Sequence, residues 1–246
     1  MDACVRDITA DELRLFGSIV ARLEAIETEA DARAAVLADI VRLTRADFGA
    51  SYVWQAAQNR FVQSVSVNMD DANLARYEAW YQFRDPITFK LRARRRATLV
   101  DEVLARDALM RSEFYNDFLA RDGLHHGIDM FVFDGDRDLG DLRIWRAAGR
   151  PDFDGREIAL LDALEPFLRR ALCRQTDGRA EGLTAREREI AGLVARGCTD
   201  RDIARILGIG FSTVRTHLKR AMEKRGCANR AELAALTVRG HGPDCR

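Results

Sequence analysis

"GFSTVRTHLKRAMEKRG" (residues 210–226) gathers Arg215, Lys219, Arg220, Lys224 and Arg225 into a single short run, with only Glu223 set against them. The whole chain has 246 residues and a formal net charge of zero, so the charge has been sorted rather than spread. Projected at 3.6 residues per turn, Phe211, Val214, Leu218, Ala221 and Met222 fall on one side, and Ser212, Arg215, Thr216, Lys219 and Arg220 fall on the other. The pattern predicts a helix from about 211 to 225 whose apolar side packs on other helices. A helix of this kind fits the DNA major groove, where Arg and Lys donate to guanine O6 and N7. Neighbouring side chains then reach phosphates, which position without reading sequence. The plainer alternative is a solvated charged face.

Working outward, Thr184-Ala185-Arg186-Glu187 has the form of a capping box ahead of Ile190, Leu193 and Val194, and Gly197 stops that helix. Thr199 or Asp200 caps a shorter helix with Ile203, Ile206 and Leu207 inward, and Gly208-Ile209-Gly210 makes a tight turn. A last helix runs from about Asn229 to Val238. The spacing predicts an all-α four-helix helix-turn-helix domain over 183–246, which favours the groove reading over the bland one.

Composition divides the chain at the same place. Residues 182–246 hold thirteen Lys and Arg against seven Asp and Glu, and the remainder holds 26 against 32. Eighteen of the nineteen aromatic residues lie before residue 182, Phe211 being the exception. "QTDGRAEG" (175–182) loses its hydrophobicity and gains two glycines, so 176–182 is expected to be a linker.

Residues 1–175 have the periodicities of an α+β domain, an antiparallel sheet covered by helices. Thr9-x-x-Glu12 caps a helix carrying Leu13, Phe16, Ile19, Val20, Leu23 and Ile26, and a second helix carries Val36, Leu37, Ile40, Val41 and Leu43. "SYVWQAA" (51–57) and "FVQSVSV" (61–67) form a hairpin, and "IDMFVF" and "DLRIWRA" form two further strands. "LARYEAWYQF" is helical and ends near Asp85, because Pro86 disfavours helix before it. Asp154-x-x-Glu157 opens a long amphipathic helix that contains Pro166. Most of the aromatics serve as core.

The stretch "LTAREREIAGLVARGCTDRDIARILGIGFSTVRTHLKRAMEKRGCANRAEL" (183–233) resembles the helix-turn-helix domain of LuxR-type transcription regulators nearly end to end, through "LTxRE", "ARGxTxxxIAxxLGI", "TVRTH" and "NRAEL". The resemblance implies that Arg215, Thr216 and Lys219 face bases and that Ser212, Thr213 and Arg220 lie nearer the DNA backbone, with the fourth helix aiding dimerisation. "RYEAWYQFRDP" (76–86) and "GLHHGIDMFVF" (123–133) resemble segments of LuxR-type autoinducer-binding domains, in which aromatics and an Asp-Pro line an acyl-homoserine-lactone pocket. That likeness implies a ligand site drawn from Tyr52, Trp54, Tyr77, Trp80, Tyr81, Asp85, Phe131 and Trp145. Asp85 would accept from a ligand amide, and Tyr77 or Tyr81 would reach ligand carbonyls. Val100 stands where those domains commonly carry Trp. "RSEFYNDFLARDGLHHGIDMFVF", "GDLRIWRA" and "FDGREIALLDALEPFL" look more like the GAF-like sensors of orphan LuxR-type regulators. Asp85 also has a local role open to it, because Asp before Pro often ends or caps a helix.

The expectation is therefore a homodimeric transcription regulator of double-stranded DNA that acts with RNA polymerase and takes a small-molecule effector, with no cofactor and no metal. A regulator dimerised by its first domain without ligand and a sigma-factor-like module are the alternatives. Residues 1–175 carry no nucleophile elbow, phosphate-binding loop or metal-ligand cluster, which argues against an enzyme. His125-His126 lacks further ligands at metal spacing. The five scattered cysteines have no disulfide-framework spacing, no run approaches a membrane span, and the N-terminus lacks signal-peptide character, so a cytoplasmic protein is expected.

Overall fold

A computed structural model describes residues 7–26, 30–181 and 183–239. The chain forms two compact units, residues 1–173 and 174–246.

The first unit is built on a five-stranded antiparallel sheet in the order β2-β1-β5-β4-β3, with β1 Phe48–Gln55, β2 Arg60–Val67, β3 Thr98–Leu99, β4 His126–Asp134 and β5 Arg137–Arg146. Four strands are those the alternation predicts. β3 spans two residues, too short for a period to show. The helices are α1 Ala10–Ala25, α2 Ala32–Leu43, α3 Asp71–Ala79, α4 Thr88–Arg92, α5 Arg106–Met110, α6 Ala120–Asp122 and α7 Gly155–Glu181. A π-helical turn, Tyr115–Leu119, runs directly into α6, and Gly123 ends it at φ +78°. The Thr9–Glu12 capping box opens α1 as expected.

Each central strand sends alternate residues to opposite faces. Ile128, Met130 and Val132 of β4 and Leu142 and Ile144 of β5 bury against Ile19 and Leu23 of α1, Leu37 and Ile40 of α2, and Leu161, Leu164 and Leu168 of α7. Each such side chain contributes about 1.5–3 kcal/mol through burial. The intervening residues Phe131 and Trp145 turn to the other face, under Tyr52, Phe61, Tyr77, Phe114 and Phe118. The same alternation sends Asp129, Asp141 and Arg143 to that aromatic side, and it is there that the chemistry lies.

Gly127 sits where β4 crosses beneath Trp145. A Cβ there would lie 2.6 Å from Val100 Cγ2 and 2.8 Å from the Trp145 ring. Gly127→Ala is expected to cost about 1–3 kcal/mol by overpacking. The three tryptophans, Trp54, Trp80 and Trp145, all precede residue 182. A urea titration followed by tryptophan fluorescence therefore reads this unit alone, and an unshifted midpoint would contradict the expectation.

The expected linker is a point of difference. α7 runs without interruption from Gly155 to Glu181, through 176–181, and the division between the units falls inside it. Loss of hydrophobicity marks where burial ends, and a helix whose backbone bonds are internal continues past that point.

The second unit contains α8 Ala185–Ala195, α9 Asp200–Leu207, α10 Phe211–Arg225 and α11 Arg230–Arg239. Thr184 with Glu187 and Thr199 with Asp202 form capping boxes for α8 and α9, and Gly208 closes α9 at φ +63°. Ile190, Val194, Ile203, Val214, Leu218 and Leu233 make the core. Ile206 and Phe211, both expected inward, are instead 55% and 47% exposed. A helix of eight residues such as α9 buries one narrow stripe, and Ile203 occupies it. Phe211 is the first residue of α10 and lies at the surface beside Thr199, Asp200 and Arg230.

Candidate nucleic-acid interface and effector cavity

On α10 the apolar side is buried at Val214, Leu218 and Ala221, while Ser212, Thr213, Arg215, Thr216, Lys219 and Arg220 are all exposed. Gly210 holds the N-cap without a side-chain bond, leaving the first backbone N–H groups of α10 available to an acceptor. The basic residues separate into two kinds. Among the described residues Arg215 and Arg220 form no ion pair, and Lys219 meets Glu223 at 3.7 Å with both side chains largely in solvent, a contact worth little. Lys224 is different: its Nζ donates to Glu187 Oε2 at 2.7 Å.

Burial works to raise the Glu187 carboxyl, but the bonds from Lys224 and from the Thr184 backbone and hydroxyl hold it below the usual range. Lys224 is thus a tie between α10 and the capping box of α8. His217 is half-buried, and its Nδ1 has no partner. Burial pushes the Cys227 thiol up to about 11, so it stays protonated near neutral pH, as a small apolar side chain would behave.

In the first unit, a cavity of about 20 Å³ lies between the aromatic face of the sheet and the segments 69–88 and 114–124, with room for roughly one water. Of the expected ligand residues, Tyr52, Tyr77, Asp85 and Trp145 line it. Trp54, Tyr81 and Phe131 pack in the surrounding core. Trp80 is 47% exposed and stacks under the Arg84 guanidinium, 3.6 Å from the ring centroid. It stands at the end of α3, where the chain leaves helical geometry and turns its ring outward.

Asp85 is consumed by its own chain. Oδ1 accepts from the N–H of Ile87 and Thr88 at 2.8 and 2.9 Å, and Oδ2 accepts from the Thr88 hydroxyl at 2.5 Å and the Tyr77 hydroxyl at 3.2 Å. Four donors fill the roughly four acceptor positions of a carboxylate. The carboxylate thus ties the turn at Ile87 and Thr88 that leads into α4, while also lining the cavity.

Sequence reading missed the floor of the cavity. Arg143 is 6% exposed, and its Nε and Nη2 donate to Asp141 Oδ2 at 2.9 and 2.7 Å. Its Nη1 donates to the hydroxyls of Tyr77 and Thr88. The guanidinium lies 4.8, 4.6 and 5.2 Å from the ring centroids of Tyr52, Phe61 and Tyr77, within cation–π range. Asp141 Oδ1 also accepts from the Tyr52 N–H at 2.6 Å, standing in for a ladder carbonyl where β1 and β5 part. Asp129 stands directly opposite Arg143 in register, yet among the described residues no ion pair joins them. Burial drives the Asp129 carboxyl well above the carboxylate range, against the pull of Arg143. A signal for this floor was present in the charged positions that interrupt β4 and β5, "IDMF" and "GDLRIW".

His125 and His126 are tied locally, His125 Nδ1 to the Tyr115 hydroxyl at 2.8 Å and His126 Nδ1 to Asp152. Among the described residues no group of three or more His, Cys, Asp and Glu could hold a metal ion, and no helix is long and apolar enough to cross a membrane.

Residues 181–237 match the family described as bacterial regulatory proteins, luxR family. The monoamine regulon transcriptional regulator of Klebsiella aerogenes is 30% identical over 127 residues, covering 50% of this chain and 55% of that protein. The chain thus spans about half the length of that relative. The fold of Escherichia coli SdiA is similar, with a TM-score of 0.55 at 20% identity over 92% of this chain and 96% of that one. SdiA in complex with octanoyl-rac-glycerol gives the same TM-score over 96% and 98%. A GAF domain from a Coxiella burnetii phosphoenolpyruvate-protein phosphotransferase reaches 0.52 at 13% identity, covering 75% of this chain and all of that one.

Proposed function

We propose, from the premise that this chain carries the DNA-binding domain of LuxR-type bacterial regulators at residues 181–237, that the whole protein is a homodimeric, effector-responsive regulator of transcription. Its α10 lies in the major groove. Arg215, Thr216 and Lys219 meet base edges, Ser212, Thr213 and Arg220 meet the phosphates, and the bound regulator acts on RNA polymerase. The observation that carries this reading is the sorting of charge on α10. Arg215 and Arg220 are exposed and unengaged while Lys224 is held inside the unit by Glu187. A merely soluble helix face gives no reason for that division.

The aromatic-lined cavity supports the effector half of the reading, as does the fold shared with SdiA, a protein that has been seen with octanoyl-rac-glycerol. The alternative of a regulator needing no effector draws on one observation, the small volume of the cavity.

The test is selection of bound fragments from sheared genomic DNA by the full chain, followed by titration of the enriched site against salt. Log affinity is expected to fall linearly with log salt at a slope of about −0.9 per phosphate contacted, several contacts in all. A lack of enrichment, or binding indifferent to salt, would remove the DNA reading.

A further inference from the structure

The cavity's unfilled bonding capacity has a sign. Asp85 has its four donors, and Asp141 is taken by Arg143 and the Tyr52 N–H. Arg143 directs four of its five N–H donors to Asp141, Tyr77 and Thr88. What remains is Asp129 and the Tyr52 hydroxyl. Both line the cavity and are 1% and 2% exposed, and among the described residues Asp129 Oδ1 and the Tyr52 hydroxyl oxygen have no partner. The charges leave the same remainder: Asp85, Asp129 and Asp141 all act on Arg143, Asp141 is also drawn by Arg33, and among the described residues Asp129 has no ion pair. Native interiors rarely leave a buried carboxyl oxygen without a donor, and a donor carrying positive charge would satisfy both the bond and the charge.

We propose, resting on the effector reading above, that the ligand of this cavity is a protonated primary amine with an apolar body. Its ammonium is held by Asp129 and the Tyr52 hydroxyl, and its body lies among Met69, Phe114, Phe118, Leu124 and Trp145. This differs in class from an uncharged acyl lactone or acylglycerol, neither of which can neutralise Asp129. The supporting electrostatics agree. Burial holds the Asp129 carboxyl well above its ordinary value, and a cation beside it relieves that penalty. The present volume of about 20 Å³ admits an ammonium head. The apolar body then displaces side chains of the roof, which is made of short helical turns rather than sheet.

The experiment uses the full chain and three probes: 2-phenylethylamine, its uncharged counterpart 2-phenylethanol, and octanoylglycerol. Binding is read by isothermal calorimetry and by the fluorescence of Trp145 and its companions. 2-Phenylethylamine is expected to bind at least tenfold more tightly than 2-phenylethanol. Asp129→Asn, nearly isosteric, should lower amine affinity at least tenfold and leave 2-phenylethanol within about twofold. Tyr52→Phe should weaken the amine several-fold and serves as a second variant if Asp129→Asn does not fold. Equal binding of amine and alcohol, or amine affinity unchanged in both variants, overturns the proposal. Preferential binding of octanoylglycerol overturns it too while leaving the effector reading in place. If no probe binds and native mass spectrometry of protein from its own host shows no retained small molecule, both fall.

Discussion

Arg143→Met is expected to lower the stability of the first unit by about 3–5 kcal/mol, the usual result of removing one partner from a buried ion pair. Among the described residues the guanidinium is the only cation hydrogen-bonded to Asp141, whose side chain is 1% exposed, and it also supports the hydroxyls of Tyr77 and Thr88. The loss should come chiefly from the carboxylates left behind. The double variant Arg143→Met/Asp141→Asn should therefore recover a large part of it, although it removes one more native group. The dependence on pH follows. Burial already raises the Asp141 and Asp129 carboxyls, and Arg143 opposes that rise. Without Arg143 both move further up.

A carboxyl raised by folding binds its proton more tightly in the native state. Its penalty is absent below about pH 3.8 and grows as pH rises towards the native value. Arg143→Met should accordingly regain stability between pH 7 and about 5. That window lies above the acid range in which Glu12, held at about 2 by its bond from Arg45, begins to cost the native state. Urea midpoints read by tryptophan fluorescence at pH 5 and 7 measure both effects. A loss under 1 kcal/mol, or a double variant no better than the single, would show that Arg143 only fills space.

Arg215→Ala/Lys219→Ala is expected to weaken binding to the selected DNA site by about 100- to 1,000-fold at physiological salt, since a base-reading contact is worth about 1–3 kcal/mol. Both side chains are exposed and outside the core of the unit, so thermal stability should stay within about 0.5 kcal/mol. Lys224→Ala gives the opposite pattern. It strips Glu187, 3% exposed at the side chain, of its cation. The second unit should lose about 1–3 kcal/mol by far-ultraviolet circular dichroism, with the salt slope of DNA binding unchanged. Equal losses of affinity for Lys219→Ala and Lys224→Ala would mean that the charge on α10 acts without orientation, which the major-groove reading cannot accommodate.

What was legible in the chain was legible for reasons of range. Capping boxes at Thr9 and Thr184, a cap at Thr199 or Asp200, the glycine stops and the two faces of α10 are set by residues a few positions apart, and a helix carries such spacings into space unchanged. The strands β4 and β5 were legible as well, while the faces that their residues share came from the fold. The end of hydrophobic patterning near residue 175 was equally visible, though not that α7 continues to Glu181, because a helix needs no burial to keep its backbone bonds. Asp85 carried two readings in the sequence, and only the fold shows that its carboxylate already accepts four bonds from Tyr77, Ile87 and Thr88.

By itself, then, the sequence determined the two kinds of unit, the helices of the second and which side of α10 is wet and cationic. These are properties of periodicity and local capping. Only the tertiary structure decided what faces the cavity: Arg143 meets Tyr77 across 66 residues, and Asp141 takes the N–H of Tyr52 across 89. No spacing rule reaches that far, because such partners are chosen by the register of β1 against β5 and by which rings close over the sheet. The buried Asp129, whose Oδ1 has no donor among the described residues, is a product of that closure.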